Sequence, residues 1–370
     1  MIRFPLVALG ASTLLLQACM FSPGMHMDTD RLISQDSAEN SMVEMVQITP
    51  KLLAQDQAVK ASNVEIPQTL LDYTPENYRI GANDALFITV WDHPELTVPG
   101  GQQQTNEANA RVVRDDGTLF NPFIGNVQVA GKTLEELREI IATRLARYIE
   151  QPQVDVNVIG YNSQKIYFSG AFENAGTMPV NAQRLTLLQA VGQAGINPER
   201  ADLSNLQVIR DGVTYRLDYD RLTSSPSRIG DVYLRPGDKV HLALNDARKI
   251  LVMGEISQPG ALPYRTSKMS LGEVLGTVGG PSPISASGKE VYVIRGVENI
   301  ENQKATVFQL NAQSPSAFIL ANQFEMQPQD VVFVGAAGVT RWNRFISQLL
   351  ATATLFYTGA RTGDEIRNNN

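Results

Sequence analysis

Few residues in this chain are of the types that make and break bonds. There are three histidines, His26, His93 and His241, and a single cysteine, Cys19. Only His93 has a carboxylate directly beside it, in the run Asp92-His93-Pro94-Glu95. Carboxylates flanking an imidazole could hold a metal or move a proton. A metal site of that kind wants a second, suitably spaced histidine, and none follows. The tract is therefore expected to be structural. Asp115-Asp116-Gly117 could open a calcium loop, but the spaced oxygen ligands of such a loop are missing. It reads as a tight turn in which Gly117 supplies the positive φ. No complete Gly-x4-Gly-Lys-Ser/Thr phosphate loop occurs. The expectation is a non-enzyme with no catalytic residue, cofactor or metal.

The cysteine has a clearer chemistry. Arg3 precedes an apolar stretch from Pro5 to Leu16, which ends at Leu16-Gln17-Ala18-Cys19. A permanent membrane helix needs roughly 20 apolar residues, so the stretch reads as a secretory signal. Small Ala18 before Cys19 resembles a lipobox, although Gln17 is less usual at its position. A lone cysteine in an exported chain cannot form an internal disulfide, and a thioether-linked lipid accounts for it. Met20 rather than Asp follows Cys19, which is consistent with sorting to an outer membrane. Several acyl chains anchor firmly where one binds only marginally. The net charge of -7, with Lys and Arg scattered, excludes nucleic acid as the main partner.

The length of 370 residues and 43% hydrophobic content allow two or three domains. Residues 20 to about 70 read as an extended lead segment with weak structure of its own, punctuated by Pro50 and Pro67. From Tyr78 the pattern turns globular. Ala85 to Trp91 is β-branched and aromatic, hence a strand. Thr133 to Tyr148 is an amphipathic helix with Thr133 and Glu136 as a capping box and Leu134, Leu137, Ile141 and Leu145 as its stripe. Gln153 to Ile159 alternates as a strand. An internal repeat follows. Lys165 to Gly170 returns as Lys249 to Gly254, with Gly176, Leu187, Gly192 and Gly195 returning as Gly260, Leu271, Gly276 and Gly279. Val208-Ile209-Arg210 returns as Val293-Ile294-Arg295, and Leu234 to Asp238 as Met326 to Asp330. Each copy reads as strand, glycine turn, strand, short helix ending in Gly, then strands. A duplicated β-rich module suggests stacking or ligand binding more than one active site.

Arg341 to Thr358 is a second amphipathic helix. Trp342, Phe345, Ile346, Leu349, Leu350, Ala353, Phe356 and Tyr357 share one side, while Asn343, Arg344, Ser347, Gln348, Ala351, Thr354 and Thr358 share the other. Leu355 interrupts the polar side. The helix would be roughly 25 Å long, close to a hydrocarbon core, with an aromatic residue near each end. Alone it would expose its polar side to lipid. A ring of copies would turn apolar faces to lipid and polar faces to a water-filled lumen, with every backbone hydrogen bond kept inside a helix. A helix packed on the domain surface, or one lying flat on the membrane, would show a similar pattern.

Three stretches carry a family resemblance. Val90-Trp91-Asp92-His93-Pro94-Glu95-Leu96-Thr97, the strand Gln151-Pro152-Gln153-Val154-Asp155-Val156-Asn157-Val158 and the terminal Arg341-Trp342-Asn343-Arg344 resemble outer-membrane polysaccharide export proteins of the Wza type. The lipobox, the paired repeats and the last helix follow in that family's order.

The resemblance implies an α+β fold. Residues 1–18 would be the lipoprotein signal, 19–71 the lead segment and 72–160 the export domain. Residues 161–245 and 246–335 would be β-grasp-like SLBB repeats, and 336–370 the transmembrane pore helix and tail. Trp91, Asp92, His93, Pro94 and Glu95 would be the family signature, and Cys19 the lipid anchor. Trp342, Phe345, Ile346, Leu349, Leu350, Phe356 and Tyr357 would face lipid. Asn343, Arg344, Ser347, Gln348 and Thr354 would line the lumen, where a hydrated glycan needs many weak contacts. The implied assembly is a homo-octamer whose final helices form an α-helical barrel in the outer membrane, with the C-terminus at the cell surface. Its implied partners are an inner-membrane polysaccharide copolymerase of the tyrosine autokinase type and capsular or exopolysaccharide cargo, with no nucleic acid. A periplasmic glycan-binding scaffold lipoprotein without a pore is the alternative from another class.

Overall fold

The computed structural model describes residues 43–62, 65–97, 109–224, 226–246, 248–296 and 305–336. The chain divides into two compact units, one formed by 64–244 and the other by 1–63 with 245–370. The lead contributes β1 (Val43–Gln47), α1 (Pro50–Ser62) and α2 (Gln68–Leu71). Next come β2 (Ala85–Val90), α3 (Pro94–Thr97), β3 (Arg111–Val112), β4 (Thr118–Asn121), β5 (Gly125–Gln128), α4 (Leu134–Leu145) and β6 (Val154–Gly160). The first repeat holds β7 (Lys165–Gly170), β8 (Gly176–Pro179), α5 (Leu187–Ala194), β9 (Ala201–Arg210), β10 (Val213–Leu217), α6 (Tyr219–Ser224) and β11 (Lys239–Leu244). The second holds β12 (Lys249–Gly254), β13 (Gly260–Pro263), α7 (Leu271–Thr277), β14 (Ala286–Arg295), β15 (Ala305–Leu310), α8 (Ser316–Gln323) and β16 (Val331–Ala336).

The unit 64–244 opens with a small α+β module. Its sheet runs β3-β2-β6, antiparallel throughout, beside the β4–β5 hairpin. Leu86, Ile88 and Val90 alternate into the core from β2 and meet Leu137, Ile141 and Leu145 from α4. The capping box at the start of α4 is present. Thr133 Oγ1 accepts from the Glu136 N–H at 3.2 Å, and Glu136 Oε2 accepts from the Thr133 N–H at 3.0 Å. The Asp115–Gly117 turn is tight as well. Asp116 Oδ1 accepts from Thr118 Oγ1 at 2.7 Å and Thr118 N at 2.8 Å, which holds its carboxyl below the usual range.

The two repeats have one topology. The first orders its strands β10-β9-β11-β7-β8, and the second β15-β14-β16-β12-β13. In each, the first and last strands pair in parallel, β7 with β11 and β12 with β16, and a capped helix crosses between them. Thr186 caps α5 and Ser270 caps α7. Gly170 and Gly254 have φ of 89° and 93°, and a Cβ at either would strike the carbonyl oxygen of Leu242 or Val334. The repeated glycine thus lets adjacent backbones approach closely.

An ion pair, buried in the first repeat and part-buried in the second, closes each of them. Arg210 ends β9, and its Nε and Nη2 donate to Asp238 Oδ1 and Oδ2 at 3.0 and 2.7 Å. Arg295 ends β14 and meets Asp330 in the same way, at 3.0 and 2.8 Å. The carboxylates do a second task. Asp238 accepts from the Arg235 N–H, and Asp330 from the Gln327 N–H, each at 2.7 Å. These bonds fasten the turns Arg235-Pro236-Gly237-Asp238 and Gln327-Pro328-Gln329-Asp330. Proline followed by a positive φ, 89° at Gly237 and 67° at Gln329, is the type II pattern. Aromatic rings cover the guanidiniums. Tyr73 lies 5.1 Å from Arg210, and Phe308 and Phe324 lie 5.0 and 5.3 Å from Arg295.

The lead segment departs from the expectation of weak structure. Strand β1 adds in parallel to β15 as a sixth strand of the second repeat. Ile48 and Leu53 are buried in that repeat's core. Leu70 of α2 is fully buried in the first repeat's core. The lead has little pattern of its own because its order comes from partners distant in sequence. Unpaired backbone groups on an edge strand are satisfied only when such a partner is present.

Among the described residues no helix is long and apolar enough to cross a membrane. The stretch expected to do so, 336–370, lies almost wholly outside them, as does Cys19.

Asp238→Ala would leave a buried guanidinium without its counter-charge and should destabilise the first repeat by about 3–5 kcal/mol. The double substitution Arg210→Met with Asp238→Leu should recover much of that loss. Hydrogen exchange across β9 and β11 in the intact protein measures both.

Candidate functional site

The tract from Trp91 to Thr97 forms a corner at the end of β2. Asp92 takes φ of 62° and turns the chain, and Pro94 begins α3. Thr97 folds back to close the corner. Its Oγ1 accepts from the Val90 N–H at 2.8 Å and lies 3.2 Å from the Val90 carbonyl oxygen, to which it can donate. Leu96 is buried beneath, while the Trp91 indole is 61% exposed. The Trp91 N–H donates to the Gln153 carbonyl at 2.9 Å. Two of the three stretches that carried the resemblance are thus neighbours in space. His93 and Glu95 lie in this corner by position. Among the described residues no group of His, Cys, Asp and Glu could hold a metal ion.

At the other end of β2, one carboxylate ties the module to the first repeat. Asp84 is fully buried. Its Oδ1 accepts from the N–H groups of Asn162 and Ser163, both at 2.9 Å. Its Oδ2 accepts from the Tyr78 hydroxyl at 2.6 Å, the Gly81 N–H at 2.9 Å and Ser163 Oγ at 3.0 Å. Burial, and then the hydrogen bond to Asp84, push the Tyr78 phenol well above its usual range, so it stays a donor. Sequence reading missed this role. Asp84 stands in an ordinary Gly-Ala-Asn-Asp loop, and four of its donors lie on residues that only the fold identifies.

In the same unit, the segment 72–79 and the loops 180–185 and 234–236 of the first repeat enclose an open cleft of about 620 Å³. Tyr73, Arg79, Arg184 and Arg235 line it, along with Asp72 and Glu76. Burial raises the Tyr73 phenol, against the opposing pull of Arg210. His241 sits elsewhere, on β11, with Nδ1 2.9 Å from Ser169 Oγ of β7. A hydroxyl beside an imidazole can suggest a nucleophile and base. No carboxylate is among the hydrogen-bond partners of His241 in the described residues, and the pair joins two neighbouring strands.

The lipidation residue Cys19 and the twelve residues assigned to the two faces of the terminal helix, Trp342 to Tyr357, lie outside the described residues. The five signature residues fall within them.

Comparison with known proteins defines the class. Residues 72–159 match the family described as polysaccharide biosynthesis/export protein. Residues 164–242 and 248–334 each match the SLBB domain, and 337–366 match the outer-membrane lipoprotein Wza C-terminal domain. The chain is 39% identical over 355 residues to the EPS I polysaccharide export outer membrane protein EpsA of Ralstonia solanacearum, covering 92% of each. It is 26% identical over 292 residues to the capsule polysaccharide export protein BexD of Haemophilus influenzae, covering 72% of this chain and 73% of that one. It is 24% identical over 314 residues to the capsule polysaccharide export outer membrane protein CtrA of Neisseria meningitidis serogroup B, covering 78% of each. The chain belongs to the family of outer-membrane polysaccharide export proteins of the Wza type. Polysaccharide export at the outer membrane is its function.

Asp84→Asn keeps the size but sets an NH2 group against N–H and O–H donors. It should cost about 2 kcal/mol or more and speed hydrogen exchange in peptides covering 78–84 and 160–166. Unchanged protection there would remove Asp84 from its anchoring role.

Proposed function

We propose that the chain builds an outer-membrane channel for capsular polysaccharide or exopolysaccharide, as a ring-shaped homo-oligomer that acts as a passive conduit. The observation that carries this reading is the two-sided stretch 342–358. The match of 337–366 to a C-terminal domain of outer-membrane lipoproteins supports it. In the proposed ring, Trp342, Phe345, Ile346, Leu349, Leu350, Phe356 and Tyr357 face lipid. Asn343, Ser347, Gln348 and Thr354 offer the cargo neutral, exchangeable hydrogen bonds, so that no single site holds it for long. Arg344 attracts acidic sugars to the lumen. Residues 1–18 are the signal, Cys19 carries the lipid, and the export module and the two repeats lie in the periplasm. The subunit number is eight, and an inner-membrane copolymerase of the tyrosine autokinase type delivers the polymer. Synthesis at the inner membrane drives the movement.

An epitope tag placed after Asn370 tests the topology, with antibody on intact cells and permeabilised cells as control. The channel reading expects binding on intact cells that still export polymer. Binding only after permeabilisation, with export intact, would leave the last helix periplasmic and favour a glycan-binding scaffold.

A further inference from the structure

The sheets of the two repeats share a strand order but differ on one face. In each, one face packs on the crossing helix. On the opposite face of the second repeat, the register sets Met45, Val307, Ile294, Val331 and Leu251 side by side across β1, β15, β14, β16 and β12. Tyr292, Phe333 and Met253 form a second row beside it. Where the second repeat has Val331, Leu251, Tyr292, Phe333 and Met253, the first has Lys239, Tyr167, Gln207, His241 and Ser169. That face of the first repeat is polar and partly open to water, with Tyr167 45% exposed. A sheet with one wet face alternates apolar and polar residues, whereas one covered on both faces reads as apolar runs. The second repeat is of the covered kind. Tyr292, Ile294 and Val307 are fully buried, and Val331 and Phe333 nearly so. Yet every apolar side chain gathered on this face belongs to a strand of the sheet itself, and no described helix joins the cluster.

We propose that this face is the docking site of the chain's own terminal segment, 341–358, which lays its apolar stripe along the row from Met45 to Leu251 before the helix enters the membrane. Position and length both favour this occupant. Strand β16 lies inside the face and ends at Ala336, six residues before Trp342 opens the stripe. Six residues reach at most about 20 Å, enough to turn back over the sheet. The row crosses five strands, about 19 Å. The stripe from Trp342 to Tyr357, as a helix, runs about 22 Å. Residues 20–42 adjoin β1 as well, but Asp28, Asp30, Arg31, Asp36 and Glu39 interrupt any apolar stripe there. The docking rests on the channel reading for its purpose alone. Sheet and lipid compete for one stripe, and burial on the sheet keeps an unassembled helix out of water.

The test is photo-crosslinking of the full chain in cells. The probe, p-benzoylphenylalanine, replaces Leu251 or Met45 at the two ends of the row, or Tyr167 at the matching point of the first repeat. Monomeric and ring-sized fractions are separated after irradiation, and the crosslinked peptides are mapped. The proposal expects the probes at 251 and 45 to capture 342–357 of the same chain in the monomeric fraction. The probe at 167 should capture it at least tenfold less. Ile346→Asp with Leu349→Asp should lower the capture at least fivefold. Asn343→Asp with Ser347→Asp, on the polar side, should leave it within twofold. Capture of 20–42, of a second copy or of nothing would overturn the proposal, as would equal loss in the two double variants. Docking and channel fail separately. No capture in monomers, beside a surface-exposed C-terminal tag, removes only the docking. Capture that persists in exporting rings keeps the docking and removes the channel.

Discussion

A guanidinium taken out of water must meet a carboxylate, and the architecture of both repeats is organised around that requirement. Arg210 and Asp238 are 6% and 1% exposed. Arg295 and Asp330 occupy equivalent places in the second copy. In each copy the arginine ends a long central strand and the aspartate precedes the last strand. The pair therefore fixes the junction between a hairpin and the parallel strand that returns beside it. The carboxylate also holds the Pro-containing turn that delivers it. Loss of the aspartate would cost the turn and the counter-charge together, and the strand order of the sheet depends on both.

Two further tethers use the same physics over longer sequence distances. Asp84 collects donors from the export module and from the start of the first repeat, so these parts of one unit share an anchor. In the other unit, β1 supplies an edge strand to β15. Both tethers use residues before a module to complete the module after it. A protein proposed to conduct a polymer without an energy source of its own gains from such fixed geometry, because the work is done elsewhere and the wall need only hold its shape.

What the sequence disclosed and what it hid follow from range. The Thr133–Glu136 cap and the Asp116–Gly117 turn are legible because their partners lie within a few residues, and the Lys165–Gly170 and Lys249–Gly254 strands because they are duplicated. The pairing of Arg with Asp is half visible: Val-Ile-Arg recurs, and Pro-Gly-Asp returns as Pro-Gln-Asp, but nothing local says that they touch. Gln329 was less visible still, because it takes a left-handed conformation where the first copy has Gly237. The lead segment reads as extended and weakly structured because β1 is ordered by a strand some 260 residues away. Asp84 and the cleft were hidden for the same reason, being built from side chains and N–H groups that only the fold assembles. The signature tract reads as structural in the sequence, but neither the corner it forms nor its contact with Gln153 is legible there.

The central claim is that the terminal helix stands with one side to lipid and the other to water. Cys19 is the only cysteine, and as the proposed lipid anchor it would leave the mature chain without a reactive thiol. Single cysteines placed in turn along 342–358 can then be challenged with a membrane-impermeant maleimide in intact, exporting cells. The account predicts labelling that rises and falls with the helical period, high at positions 343, 347 and 354 and low at 346, 349 and 356. Uniform labelling along the stretch, or none at any position, would contradict it.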